Sequence, residues 1–267
     1  MQRRTLLRSI ATLAPAAFAP AAFAPTVFAS GARSSVLPWL MNNVGDAHPE
    51  NEEYWLRVRD AFDIDHTLIN LNNGGVSPAP RTVIQAIKSG MDRSNLAPAY
   101  EMWRNQEPRV ESVRTSLATM FGVDSEEVAI TRNASEALET ALLGITMQAG
   151  DSIVTTTQDY PRMLTTLDQR VKRDGIVLTK VRQDAPVVNE DDFVRRFADA
   201  ITPRTKAVLV SHVVFLTGQI NPVKKICDLA RERGVISIVD GAHSFAHFPF
   251  KQNDLGCDVY GSSLHKW

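Results

Sequence analysis

From Leu71 onward the sequence predicts an α/β fold built around a mainly parallel sheet. Short apolar runs alternate there with longer stretches whose apolar residues recur at helical spacing. Helix punctuation agrees: "PVKKICDLARERG" (Pro222 to Gly234) opens on proline and closes on glycine. The strand ends also collect polar residues, where an open α/β sheet binds its ligands. A formal charge of −1 with 22% charged residues over 267 residues argues against a nucleic-acid partner or a polybasic membrane surface. Cys227 and Cys257 lack metal-ligand spacing and cannot build a disulfide framework, so both are expected to be buried small apolar groups.

Residues 1–29 stand outside that fold. They begin with a basic "MQRR" and continue as an Ala/Pro/Phe stretch without charge from Ser9 to Gly31. Val27-Phe28-Ala29 before Ser30 offers a cleavage pattern, and Ser30-Gly31-Ala32 a second one. Paired Arg3-Arg4 followed by Thr5-Leu6-Leu7-Arg8 resembles a twin-arginine export signal, which implies a periplasmic or exported product. A membrane anchor is the alternative. Three prolines make the stretch a poor version of the ~20 apolar residues that a spanning helix needs, so no stable membrane insertion is expected. Residues 30–70 are expected to form an N-terminal arm, with a short helix in "EEYWLRVRDAF" (Glu52 to Phe62).

The elements of the main body, 71–267, follow in order. Helices are expected over Ala79–Met91, with Val83, Ile84 and Ile87 on one side, and over Gln106–Phe121, with Val110, Val113, Leu117 and Phe121 in register. "VAIT" (Val128 to Thr131) reads as a strand, followed at once by the helix "SEALETALLGI". "DSIVTTT" is the next strand and "PRMLTTLDQRVKRDG" the next helix, ended by Gly175. The strand "IVLTKV", the helix "DDFVRRFADAI" and the strand "KAVLVSHV" then precede the proline-to-glycine helix. "VISIVD" ends on Asp240, and "CDVYGSS" (Cys257 to Ser263) is a final short strand.

Five strand ends contribute to one candidate pocket: Asn133-Ala134-Ser135, Asp159-Tyr160, Ser211-His212, Asp240 with His243, and Ser262-Ser263 with His265-Lys266. Asn133 and Glu136 have capping-box spacing, which by itself means a well-capped helix. The free N–H groups of that helix start can also hold a phosphate, with Ser135 donating its hydroxyl. Asp240 ends an apolar strand, where a carboxylate is costly without a partner. A helix cap or surface pair would explain it; so would a protonated pyridine nitrogen, the pairing used with pyridoxal phosphate. His243 could meet the phenolic oxygen of that ring or be merely structural. Lys266 follows a strand in a small-residue context, where burial favours the neutral amine that a Schiff base requires. A solvated terminal lysine is the plain alternative. Tyr160, between a strand and Pro161, could stack on a flat cofactor or simply pack.

Taken in order, "LNNGGVSPAPRTVIQAI", "NASEAL", "TTTQDYP", "SHVVFLTGQINPVKKI", "VDGAHS" and "SSLHKW" resemble the class V aminotransferase family of fold-type-I pyridoxal phosphate enzymes. "NNGG", "DYP" and "HKW" look most similar to its isopenicillin N epimerase-like branch. The resemblance implies a three-layer sandwich, the large domain of that fold. It implies pyridoxal 5'-phosphate as cofactor and Lys266 as the Schiff-base lysine. Asp240 would pair with the ring nitrogen, His243 with the phenolic oxygen, and Tyr160 would stack on the ring. Ala134, Ser135, Ser263 and His265 would form the phosphate cup. An amino acid substrate and a family-like homodimer are implied as well. Where cysteine desulfurases commonly carry asparagine, this chain has Phe215, and neither cysteine stands where a mobile nucleophile would.

In the family a further strand and a C-terminal small domain follow the lysine, and the latter normally supplies the arginine for the substrate carboxylate. The chain therefore resembles an incomplete member, expected to be inactive or poorly soluble alone. Alternatives are a cysteine desulfurase or C–S lyase of the same family, an inactive truncated fragment, and a metallohydrolase using Asp240, His243 and His247. No G-x-S-x-G elbow or G-x-G-x-x-G loop is present in the sequence to support a serine hydrolase or a nicotinamide enzyme.

Overall fold

The structure is a computed structural model that describes Asn42 and residues 50–266. The expected export signal, the rest of the arm before Glu50, and Trp267 lie outside the described residues. Among the described residues no helix is long and apolar enough to cross a membrane.

Helix α1 spans Glu52–Arg59, with Asn51 accepting from the Tyr54 N–H as its N-cap. Helix α2, Arg81–Leu96, starts after Pro80. Pro98–Tyr100 and a wider helical stretch, Glu101–Gln106, lead into α3, Glu107–Phe121, which ends at Gly122 in the left-handed conformation. Helix α4, Ala134–Gly144, then precedes strand β1, Ser152–Thr156. The core continues as α5 (Pro161–Asp174), β2 (Val177–Val181), α6 (Glu190–Ala200), β3 (Thr205–Ser211), α7 (Val223–Glu232) and β4 (Ile236–Asp240). The short α8 (Gln252–Leu255) and the three-residue β5 (Val259–Gly261) complete it.

The five strands are all parallel and lie in the order β2-β1-β3-β4-β5. Alternation along each strand divides the core into two layers. Ile153, Leu209 and Ile238 face α4 and α5, packing on Leu138, Leu142, Met163 and Leu167. Val154, Val208, Val210 and Val239 face α6 and α7, packing on Phe193, Phe197, Val223 and Ile226. The expected three-layer sandwich is therefore present. The chain turns one way from β1 to β2 and the other way from β2 through β3 to β4, which places a topological switch between β1 and β3.

Several boundaries differ from expectation. Val128–Thr131 is not a strand. It pairs with no strand among the described residues and lines, together with Tyr260, Gly261 and Ser262, a cavity of about 540 Å³. Strand β3 ends at Ser211 rather than running to Val213, because Val213 leaves the ladder to bridge Ile220. The last strand holds only Val259–Gly261. Lys266 belongs to a short 3₁₀ turn, Leu264–Lys266, not to the end of that strand itself. Cys227 and Cys257 are free and buried as expected.

Candidate active site

The carboxyl ends of β1, β3, β4 and β5 open into a cavity of about 480 Å³. Its walls bring together Asn133, Ala134, Ser135, Tyr160, Ser211, Asp240, His243, Ser263, His265 and Lys266. All eight residues implied by the resemblance line this one space.

Asp159, one residue before Tyr160, is the strut beneath it. Its Oδ2 accepts from Thr155 Oγ1 and the Thr156 N–H, each at 2.7 Å, and its Oδ1 accepts from the Ser211 N–H and Oγ, also each at 2.7 Å. The side chain thus ties the end of β1 to the end of β3 across the switch point. Ser211 is in register with Asp240, and the His212 N–H donates to the Asp240 carbonyl, so the strut also sets the end of β4. His212 itself does not reach the cavity. Its ring packs edge-on against Phe248 and Phe250, and burial pushes its pKa down to about 4.

Asp240 is 6% exposed, and its Oδ1 accepts from the Ala242 N–H at 3.0 Å. Its Oδ2 has no hydrogen-bond partner among the described residues. Burial raises its pKa to about 6, helped by the nearby Asp159 charge and opposed by the Ala242 N–H and Lys266. Gly241 follows because no side chain fits: a Cβ there would lie 1.9 Å from Tyr260 Cζ. Lys266 Nζ lies 2.9 Å from His243 Nε2. Burial lowers the Lys266 pKa, with Asp240 pulling the other way. His243 is lowered to about 4 by burial and then by the charges of Lys266 and His247, so its neutral ring accepts from the ammonium at neutral pH.

The opposite function, anion holding, falls to the start of α4. Asn133 Oδ1 accepts from the Glu136 N–H at 2.9 Å, and Ser263 Oγ accepts from the Ala134 N–H at 2.9 Å. The Ser135 N–H has no partner among the described residues and remains a donor at a helix N-terminus. The reciprocal half of the expected capping box is displaced: Glu136 Oε2 accepts from the Arg132 N–H instead. Tyr160 is half-buried and packs edge-on against Phe215, at 5.3 Å between centroids.

Sequence reasoning did not place Arg162 or Val213 in the wall, and it cited Asn72, Gly74, Gly75 and Phe215 only for their family likeness; all six line the cavity. A Cβ on Gly74 would stand 3.3 Å from His243 Cε1, and the Ser77 N–H donates to the His265 carbonyl at 2.8 Å. The segment that holds "NNGG" is thereby laid against His243 and tied to His265. A pair of glycines beside two asparagines was the available signal for such a close approach.

A parallel sheet with a switch-point cavity, a buried acid facing into it and a desolvated lysine on the same wall are the features of pyridoxal-phosphate-dependent enzymes of fold type I. The residues fit that cofactor, since the Asp240 Oδ2 is unpaired among the described residues on the cavity wall and the α4 start offers an unused donor. A structure of the cystine C–S lyase C-DES in complex with its product cysteine persulfide superposes with a TM-score of 0.68 at 27% identity, covering 73% of this chain and 53% of that one. The apo structure of a cysteine desulfurase from Thermococcus onnurineus has the same fold, with a TM-score of 0.65 at 24% identity over 78% of this chain and 52% of that one.

The chain belongs to the class V aminotransferase family, whose model matches residues 69–267. It is 30% identical to the isopenicillin N epimerase of Amycolatopsis lactamdurans over 216 residues, covering 80% of this chain and 54% of that protein. It is 28% identical to a probable cysteine desulfurase of Synechocystis over 208 residues, covering 75% and 49% respectively. The chain spans about half the length of the curated relatives it matches.

Proposed function

We propose that residues 71–267 hold pyridoxal 5'-phosphate in an enzyme that acts on an amino acid, with chemistry like that of the isopenicillin N epimerases. The observation that carries this reading is the shared cavity of Asp240, Lys266 and the free donor at the start of α4. When bound, the cofactor supplies a ring that accepts electrons from a bond broken at the substrate's α-carbon.

Each side chain then has a role set by its surroundings. Asp240 would keep the ring nitrogen protonated through its Oδ2, and that cation would favour the ionised carboxylate that burial alone disfavours. Lys266 would supply the covalent tether through Nζ. Burial lowers its pKa, which makes the neutral, nucleophilic amine accessible. With the cofactor bound, Lys266 Nζ would be the group placed to take and return the α-proton, and His243, 2.9 Å from that nitrogen, would meet the phenolic oxygen. Tyr160, braced by Phe215, orients the ring, while Ala134, Ser135, Ser263 and His265 receive the phosphate.

The cysteine desulfurase alternative would have to take its thiol from outside the described cysteines. Burial raises the thiols of Cys227 and Cys257 to about 12 and about 11, so neither supplies a thiolate nucleophile. The experiment is spectroscopic: the purified chain mixed with pyridoxal phosphate should show a visible band that Lys266→Ala abolishes. A band of equal strength in Lys266→Ala would end this assignment.

Two further parts of the proposal concern residues other than those of the cavity. Arg3 and Arg4 direct twin-arginine export, and replacing both by lysine should leave the product inside the cell. The exposed apolar side of α2, with Val83, Ile84, Ile87 and Met91, packs against a second copy; sedimentation showing only monomer at micromolar concentration would set this aside.

A further inference from the structure

Arg162 lies on the first turn of α5, two residues after the tyrosine of the cavity wall, and its side chain lines the same cavity as Lys266 and Asp240. The other arginines of that helix are committed. Arg170 bonds to Asp174 and to the carbonyls of Leu142 and Ile145, and Arg173 bonds to Asp174. The Arg162 guanidinium has no ion pair and no hydrogen bond among the described residues. Its backbone carbonyl is used, accepting from Thr166 Oγ1, so the turn is held while the charge is left free.

The charges of the cavity wall make that free cation informative. Asp240 is the single carboxylate among the lining residues, and it is buried at the end of β4. His243 is bonded to Lys266, and the cofactor reading spends Lys266 on the tether and the Ser135, Ser263 and His265 wall on the phosphate. Among the described residues of the wall, Arg162 is the cation that remains, additional to the arginine that the resemblance assigns to the small domain. An arginine fork matches a carboxylate in shape and can donate two parallel bonds to it.

We infer that Arg162 is a specificity-determining residue that engages a carboxylate of the amino acid substrate. This rests on the cofactor reading above. The carboxylate can come from the α-carbon or from an acidic side chain, and the chemistry is the same for both.

The test uses the full chain loaded with pyridoxal phosphate, at low ionic strength, with calorimetric binding of non-reacting acids. Butyrate stands for a single carboxylate and glutarate for two. Arg162→Gln should weaken acid binding about tenfold, the loss expected for one charge-assisted pair. Arg162→Lys should restore part of it. Loss of affinity for both acids assigns the α-carboxylate; loss confined to the preference for glutarate assigns a side-chain carboxylate. Acid affinity within twofold of wild type in Arg162→Gln overturns the inference, as does undetectable binding of both acids to wild type. A similar tenfold loss of pyridoxal phosphate affinity in Arg162→Gln also overturns it, because the residue would then serve the phosphate. The visible band keeps the two readings separate. A loaded protein with no acid effect sinks only Arg162, whereas a protein that never gains the Lys266-dependent band sinks the cofactor reading and the inference with it.

Discussion

Replacing Asp159 by alanine removes the acceptor for four hydrogen bonds at the switch point, all of 2.7 Å and all within a side chain that is 3% exposed. The hydroxyls of Thr155 and Ser211 can turn to other acceptors. The Thr156 and Ser211 N–H groups cannot, because their direction is set by the strands. Each buried donor left unmade costs about 1–3 kcal/mol. Release of the Asp159–Asp240 repulsion offsets a little of this. The expected loss is about 3–5 kcal/mol, a large share of the ~5–15 kcal/mol that holds a typical domain together. Urea melts at pH 7 measure it. Asp159→Asn keeps the shape and one acceptor oxygen but turns an NH₂ toward an N–H donor, so its loss should be about half as large. An alanine variant within 1 kcal/mol of the parent would refute the reasoning, since those donors would then have other partners.

Other outcomes follow from the same geometry. Asp240 titrates at about 6 in the cofactor-free fold against 3.8 when unperturbed, so the folded state holds its proton more tightly. Its contribution is present below about pH 4 and is lost as pH rises through 6, by about 3 kcal/mol. Urea melts of wild type and Asp240→Asn between pH 4 and 7 should diverge by that amount, and parallel curves would contradict it. Gly241→Ala places a Cβ 1.9 Å from Tyr260 Cζ, which should cost about 3 kcal/mol or solubility, with partial recovery in Gly241→Ala/Tyr260→Leu. Equal stability of the single variant and the parent would show that the ring can move freely. Ser263→Ala removes the acceptor for the Ala134 N–H, for a loss of about 1 kcal/mol in thermal melts and a weaker affinity for pyridoxal phosphate.

The cores of β1 to β4 and their crossover helices were legible because the signals are local. An apolar run such as "SIVDG" ends where a carboxylate must stop, and Gly175 takes the left-handed turn that closes α5. The residues that line the candidate cavity were legible for a related reason. An aspartate at a strand end, and a histidine and a lysine soon after one, are expensive to place in an otherwise apolar segment without a partner. Arg162 carried no such signal, since an arginine in the first turn of a helix reads as solvated.

By itself the sequence determined the parallel α/β class, the family resemblance, and the set of polar groups that gather near the carboxyl ends of the strands. Only the tertiary structure decided which of them face inward: His212 turns into the Phe248 and Phe250 rings, while Arg162 and Gly74 line the cavity. It also decided that Val128–Thr131, apolar and β-branched enough for a strand, stays outside the sheet. The reason is the same in both cases. Propensity and periodicity act within a few residues, whereas ladder partners and cavity walls are supplied by segments more than a hundred residues away, as in the Ser263 to Ala134 bond.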